Sequence, residues 1–246
     1  MQKIFCNSHI VTSSWSAYFP FAYDTQNRLT EADIPGAGRT QYGWDWVANR
    51  TAPTAVYNDA DQLTSFGGSG YTYNMTGDLT AITGAGARSF TYTNAGMLNT
   101  VTTGAATASM SWDSLGNRLS YTSSTGGTTQ YVYDITAGVP AVIAEITGGS
   151  PVLYVREPNG ALIARKAGTD RKYYHFDELG STLFLTDAGA VQTDKYVYNA
   201  FGGVITRTGS TNQPYQYIGQ YGYYTHWQDA NMPLLLLGVR FYNPAT

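Results

Sequence analysis

The chain has 246 residues, enough for one large β domain or two smaller ones, and its net charge of −3 offers no basic footprint for nucleic acid. Cys6 is the sole cysteine, so an intramolecular disulfide is excluded, and Cys6 with His9 makes at most half a metal site. Aromatic residues make up 14% of the chain, charged residues only 13%, and there are 21 Tyr and 27 Gly, the profile of many short strands joined by glycine turns.

Residues 1–20 form a non-repeat segment. They lack the apolar stretch of a signal peptide, because Asn7, Ser8 and His9 interrupt Ile4-Phe5-Cys6. Nowhere does an apolar run approach the ~20 residues of a membrane span. Leu234 to Leu237 is a four-residue run and reads as a buried strand.

Residues 21–170 read as an array of hairpins. A unit led by an aromatic recurs: YDTQNRLT from Tyr23, WDWVANRT from Trp44, YNDADQLT from Tyr57, YNMTGDLT from Tyr73 and YTNAGMLN from Tyr92. It continues as WDSLGNRLS from Trp112, YDITAGVPAVI from Tyr133 and YVREPNGALI from Tyr154. The leading aromatics are 21, 13, 16, 19, 20, 21 and 21 residues apart. That period is too short for a four-stranded propeller blade and fits one two-stranded hairpin per repeat.

Ser111 to Tyr121, SWDSLGNRLSY, is the clearest copy. Trp112 ends an incoming strand, Asp113 to Asn117 turns, and Arg118 starts the outgoing strand. Asp113 can bond the turn's backbone amides, and Gly116 suits the left-handed position that closes a type I turn with a bulge. Trp112 and Leu119 are expected to pack across the turn. Arg28 and Arg118 have three readings: paired with turn acids, stacked on Tyr, or solvated. The structural positions of the array are Asp24, Trp44, Gly77, Gly96, Trp112, Asp113, Gly116, Asn117, Tyr133 and Gly160.

Links such as Gly67-Gly68, Gly104-Ala105 and Gly148-Gly149 return the chain with turns of the opposite hand, as a meandering antiparallel sheet requires. Alternation puts Tyr131, Tyr133 and Ile135 on one face and Val132 and Asp134 on the other. Tyr71 with Tyr73, Phe90 with Tyr92 and Met110 with Trp112 repeat this, so one face is aromatic and the other is Thr, Ser and Val. The aromatic stripe is read first as packing and second as a surface for a sugar or a polypeptide.

The last stretch, residues 171–246, carries YYHFDELGST from Tyr173, LTDAGAV from Leu185, YVYNAFG from Tyr196, YIGQYGYYT from Tyr217 and LLLLGVRFYNP from Leu234. With the Y-D-x-x-G-N-R-L repeats, these motifs resemble the YD-repeat family of Rhs proteins and the teneurin shell, ending in an Rhs repeat-associated core. The matching core positions are Tyr174, His175, Asp177, Gly180, Tyr198, Phe201, Gly202, Gly219, Tyr223, Arg240, Tyr242 and Pro244.

The resemblance implies an all-β fold in which antiparallel hairpins form a spiralling, partly closed sheet with its aromatic face inward, a shell that encloses a toxin or other cargo. It also implies secretion or display at the cell surface. His226 to Met232, HWQDANM, departs from the family's usual acidic stretch ending in Thr-Gly. The family's continuation into a G-R-F stretch and a D-P pair falls beyond Thr246, and the positions that would carry self-cleavage fall there too. The expected fragment has two free edges, an aromatic face partly wet, and a tendency to self-associate.

Enzyme chemistry finds little support. A Ser181–His175–Asp177 site can be drawn, but no G-x-S-x-G elbow exists and Ser181 follows Gly180 in a turn. Asp177 and Glu178, if on a strand, point to opposite faces, and Asp177 is expected to cap a turn. The glycine clusters at Gly36 and Gly84 lack the third glycine and following helix of a dinucleotide loop. Asn49-Arg50-Thr51 and Asn74-Met75-Thr76 match the glycosylation pattern inside hairpin turns. No cofactor is implied. The expected partners are the rest of a larger Rhs-type polypeptide or its cargo. The alternative is a carbohydrate-binding, adhesive surface module built on the tyrosine-rich strands.

Overall fold

The computed structural model describes residues 21–51, 54–136 and 140–246. The segment 1–20, with Cys6 and His9, lies outside the described residues. The chain divides after Gly70 into two compact units.

In the first unit β1 (Phe21–Tyr23), β2 (Leu29–Ile34) and β3 (Gly38–Gln41) make a three-stranded antiparallel sheet, followed by β4 (Val56–Tyr57) and β5 (Leu63–Phe66). β6 (Ser69–Tyr73) follows, then β7 (Leu79–Thr83), β8 (Arg88–Tyr92), β9 (Leu98–Thr103), β10 (Ala106–Trp112), β11 (Arg118–Ser123) and β12 (Gly127–Asp134). The meander continues with β13 (Ala141–Thr147), β14 (Ser150–Arg156), β15 (Leu162–Ala167), β16 (Asp170–Phe176), β17 (Thr182–Thr186), β18 (Gln192–Tyr198) and β19 (Val204–Thr208). A 3-10 turn at Gly219–Tyr221 precedes β20 (Tyr224–Thr225), β21 (Leu235–Leu237) and β22 (Arg240–Tyr242), a second three-stranded sheet. No α-helix occurs among the described residues.

Strands β4 to β19 form one 16-stranded sheet in which sequence neighbours are spatial neighbours. β4 and β19 are its two ends and do not pair, so the sheet is not closed into a barrel.

One turn geometry recurs because one side chain organises it. Asp113 Oδ1 accepts the amides of Leu115 and Asn117, both at 2.8 Å. Asp24, Asp45, Asn58, Asn74, Asp177, Asp187 and Asn199 take the equivalent amides in their own turns. Three residues later the backbone is left-handed, at Gly116 with φ 86°. Glycine is not always present there: Asn27, Ala48, Asp61 and Ala190 adopt φ of 57–70° with a Cβ in place. Asp177 caps such a turn.

The turn at Asp113, like those at Asp24, Asn58, Asp177, Asp187 and Asn199, ends in a bulge, which corrects the expected Trp112–Leu119 contact. The register runs Ser111↔Ser120 and then Trp112↔Arg118, so Leu119 is passed over and stands 47% exposed. Trp112 is half-buried and meets Phe241 edge-on at 6.5 Å. Two further expectations shift by small frame errors. Ile135 lies past the end of β12 and is 68% exposed, away from Tyr131 and Tyr133. The residue before the turn in the Tyr154 repeat is Arg156, paired with Leu162, and Tyr154 lies two positions earlier on the buried face.

The two faces divide as alternation predicts. Phe90, Met110, Tyr121, Tyr131, Tyr154, Tyr174 and Tyr196 are each at most 7% exposed. On the opposite face, hydroxyls pair across strands, Thr91 with Thr100 at 2.6 Å and Thr122 with Thr128 at 2.9 Å. The expected wet aromatic face is not found in the second unit, because the chain's own C-terminal stretch covers it. Tyr215 packs on Tyr154, Tyr224 on Tyr131 and His226 on Tyr121, with ring centroids 4.9, 5.6 and 4.7 Å apart.

Candidate functional site

The contact between the aromatic face and the C-terminal segment holds most of the buried polar groups. Arg118 is 1% exposed. It stands five residues past Asp113, the slot filled by Leu29, Leu79, Leu98 and Leu162 past their own turn residues. The bulge thus turns a guanidinium inward and Leu119 outward. Its Cζ lies 4.3 Å from the Tyr131 ring centroid and 4.5 Å from that of Tyr224, cation–aromatic contacts strengthened by burial. Of its readings, stacking on Tyr holds and solvation does not. Arg28, by contrast, pairs with Asp24 at 2.7 Å.

His226 is 2% exposed between Tyr121, Tyr224 and Phe241. Its Nδ1 bonds the Leu234 carbonyl at 2.9 Å and its Nε2 meets Arg118 Nη1. Burial, and then the Arg118 charge, hold the imidazole well below its ordinary pKa against the pull of the Leu234 carbonyl. Asp229 is 3% exposed and accepts the hydroxyls of Tyr121 at 2.9 Å and Ser123 at 2.7 Å. Burial pushes its carboxyl up, but these bonds and those from Asn231 outweigh it, and it stays below the usual carboxylate range.

Glu145 on β13 is 4% exposed, directly across from Tyr131, and its Oε1 has no hydrogen bond within the protein. Burial pushes it up to about 7, against the Tyr224 and Tyr154 hydroxyls and the charges of Arg118 and Arg165. Arg165 is itself 5% exposed and reaches Asp170 at 3.3 Å.

The remaining sequence-derived positions serve the turns and the cover. Gly77, Gly96 and Gly160 are left-handed turn residues with φ of 85°, 75° and 90°. Gly116, Gly180 and Gly202 are too, but the segment also lies on them. A Cβ would meet Val239 at 2.8 Å, Tyr221 at 2.6 Å and, at Gly202, the Tyr217 ring. Asn117 bonds back to Asp113, and Tyr133 packs half-buried against the core. Tyr174 reaches Gln213, and Tyr198 donates to the Thr182 carbonyl. Tyr242 donates to the Phe201 carbonyl at 2.8 Å and stacks on Tyr217, which Tyr223 meets edge-on. Gly219 lies in the 3-10 turn under Tyr215, Arg240 opens β22, and Pro244 follows it.

The drawn triad does not assemble. Asp177 takes the Ser181 amide at 2.7 Å, while the His175 ring bonds Thr186 and stacks on Phe184 at 4.3 Å. No group of three metal-ligating side chains occurs among the described residues. What the buried groups do is hold a segment in place. Glu145, His226 and Asp229 escaped sequence reading because their partners lie far away in the chain. Arg118 could have been found by counting five residues from the turn Asp.

A meandering hairpin array whose aromatic face is covered by the chain's own terminal segment defines a shell-type YD-repeat module. The chain belongs to the Teneurin YD-shell family, whose sequence model matches residues 1–246. It is similar to the tRNA3(Ser)-specific nuclease WapA of Bacillus spizizenii, 24% identical over 235 residues that cover 90% of this chain and 10% of that protein. Among solved structures it is similar to TcdB2-TccC3-Cdc42, with 14% identity, a TM-score of 0.47, and coverage of 92% of this chain and 16% of that one. It is also similar to TcdB2-TccC3, with 15% identity, a TM-score of 0.45, and coverage of 92% and 17%. The chain thus spans a small part of each of these proteins.

Proposed function

We propose that this chain is a non-enzymatic part of a larger Rhs-type shell, and that the shell's aromatic face encloses a polypeptide cargo. The observation that carries the reading is what the face already does. It holds residues 213–232, mostly without regular structure, through ring edges, a buried guanidinium and hydroxyl–carboxylate bonds rather than strand pairing. Such contacts suit an irregular chain of varied sequence. The resemblance to cargo-enclosing YD-repeat shells supports the same reading.

The carbohydrate-binding alternative needs ring faces open to solvent, and the rings of Tyr121, Tyr131, Tyr154, Tyr174 and Tyr196 are buried. The test is proteinase K digestion of the full-length polypeptide, followed by intact mass. Cargo survives while the shell is folded and is digested once mild urea opens it. Digestion of the cargo as fast as that of the isolated cargo, or specific retention on a glycan array, would sink the proposal.

A further inference from the structure

The C-terminal segment is held beside one buried base and one buried acid, and no bond joins the two. The Leu234 carbonyl can only accept, so His226 Nδ1 carries the proton that it receives; Arg118 can only donate, so His226 Nε2 accepts. The docked imidazole is therefore neutral. A second proton would set N–H against N–H beside a guanidinium in a buried site. The other groups around the ring offer no compensation. Tyr121, Tyr224 and Phe241 present rings, and Asp229, on the same segment, bonds the hydroxyls of Tyr121 and Ser123 with Oδ2 and the Asn231 amide with Oδ1.

Glu145 poses the mirror problem. It is 4% exposed, and Oε1 lacks any hydrogen bond within the protein. Around it stand the hydroxyls of Tyr154 and Tyr224, the Tyr131 residue opposite, and the charges of Arg118 and Arg165, none within ion-pair distance. A buried carboxyl so placed favours its protonated form.

We propose that docking of the C-terminal segment exchanges one proton for another, released at His226 and taken up at Glu145, so that the cover of the aromatic face is indifferent to mild acid. With the segment released, both groups return to their ordinary values of 6.5 and 4.5. Between those limits the released pair holds one proton, on His226, and the docked pair holds one, on Glu145. His226 alone weakens docking about tenfold per pH unit as pH falls below 6.5, because its docked value is depressed. Glu145 alone weakens docking by the same factor as pH rises from 4.5 towards about 7, because its docked value is raised. The two slopes cancel. Below 4.5 only the His226 slope remains, and the cover is lost.

Hydrogen exchange of the backbone amides of residues 224–236, corrected for intrinsic rates and followed from pH 4.8 to 6.4, tests this on the whole chain. Wild-type protection is expected to stay level within about threefold. Glu145→Gln should lose about tenfold per unit on acidification, and His226→Gln should gain by the same factor. A wild type that loses tenfold per unit, or a Glu145→Gln variant that stays level, overturns the proposal. Should either variant fail to fold, ring-nitrogen NMR of the wild type decides. A neutral His226 ring protonated on Nδ1 at pH 5 supports the exchange, and an imidazolium there overturns it.

Discussion

The indole N–H of Trp112 donates to the carbonyl of Leu98 at 2.8 Å, tying one repeat to the repeat before it. Trp44 makes the same bond to Leu29, Tyr92 to Leu79 and Tyr198 to Thr182, at 2.7, 2.8 and 2.9 Å. Where Arg156 takes the aromatic's place, its Nε reaches the Val142 carbonyl at 2.9 Å. The leading residue is thus a donor as well as a ring. Trp112→Phe keeps packing against Phe241 and loses the bond, at a cost of about 1 kcal/mol. Trp112→Ala loses both, about 3 kcal/mol. Urea unfolding measures both, and a Phe variant within ~0.5 kcal/mol of wild type would mean that the Leu98 carbonyl needs no donor.

Gly160 and Gly202 have nearly the same φ, 90° and 89°, but different surroundings. A Cβ at Gly160 meets nothing within 4 Å, so Gly160→Ala costs about 1 kcal/mol of backbone strain. At Gly202 the Cβ enters the Tyr217 ring, so Gly202→Ala adds an overpacking cost of about 1–3 kcal/mol. Equal midpoints for the two variants would show that the segment does not rest on that turn.

Ala190 holds a left-handed position, φ 62°, that other turns give to glycine. Ala190→Gly should raise stability by up to about 1 kcal/mol. A lower melting temperature would mean that the gain in unfolded-chain entropy outweighs the relief of strain.

Arg118→Ala removes the partner of His226 and empties a buried slot, a loss of about 3 kcal/mol. Arg118→Met fills the slot without a charge to desolvate and should cost less than half of that. Chemical denaturation compares them, and a Met variant as damaged as the Ala variant would show that the charge itself is required.

At the alkaline end the buried phenols set the limit. Burial pushes Tyr92 and Tyr131 up to about 12, with Asp78 adding to the effect at Tyr92 and Arg118 opposing it at Tyr131. A folded value above the ordinary 10 means that their contribution to stability is complete below pH 10 and is lost as pH rises from 10 towards 12. Phenolate absorbance should therefore show late ionisation that coincides with loss of β-sheet circular dichroism. Ionisation of every tyrosine near pH 10 in a folded protein would contradict the buried stripe.

The turns and faces were legible because their causes are local. Asp113 and Gly116 sit within one turn, and Phe90 or Tyr131 follows from strict alternation. Frame errors begin at the bulges: Gly116 signals one, but its extra residue shifts the faces of the strand that follows by one. Arg118 and Leu119 change places for that reason, and in the Tyr154 repeat the turn-leading position belongs to Arg156, which carries no ring. The turns at Ala48 and Ala190 lack glycine at the left-handed position and were legible from the rest of their motifs. The cover over the aromatic face had no local signal, since Tyr121 and Asp229 meet only in the folded chain.

That last pair also sets a clock. Asp229 is 108 residues downstream of Tyr121. At ~5–20 residues per second a ribosome needs about 5–20 s to deliver the covering segment after the strand it covers. Hairpins close in microseconds, so the sheet can form long before its cover exists. For those seconds the growing chain presents a row of unshielded tyrosines to its surroundings. Slowing or pausing synthesis between β11 and β20 would prolong that interval and with it the demand for chaperones.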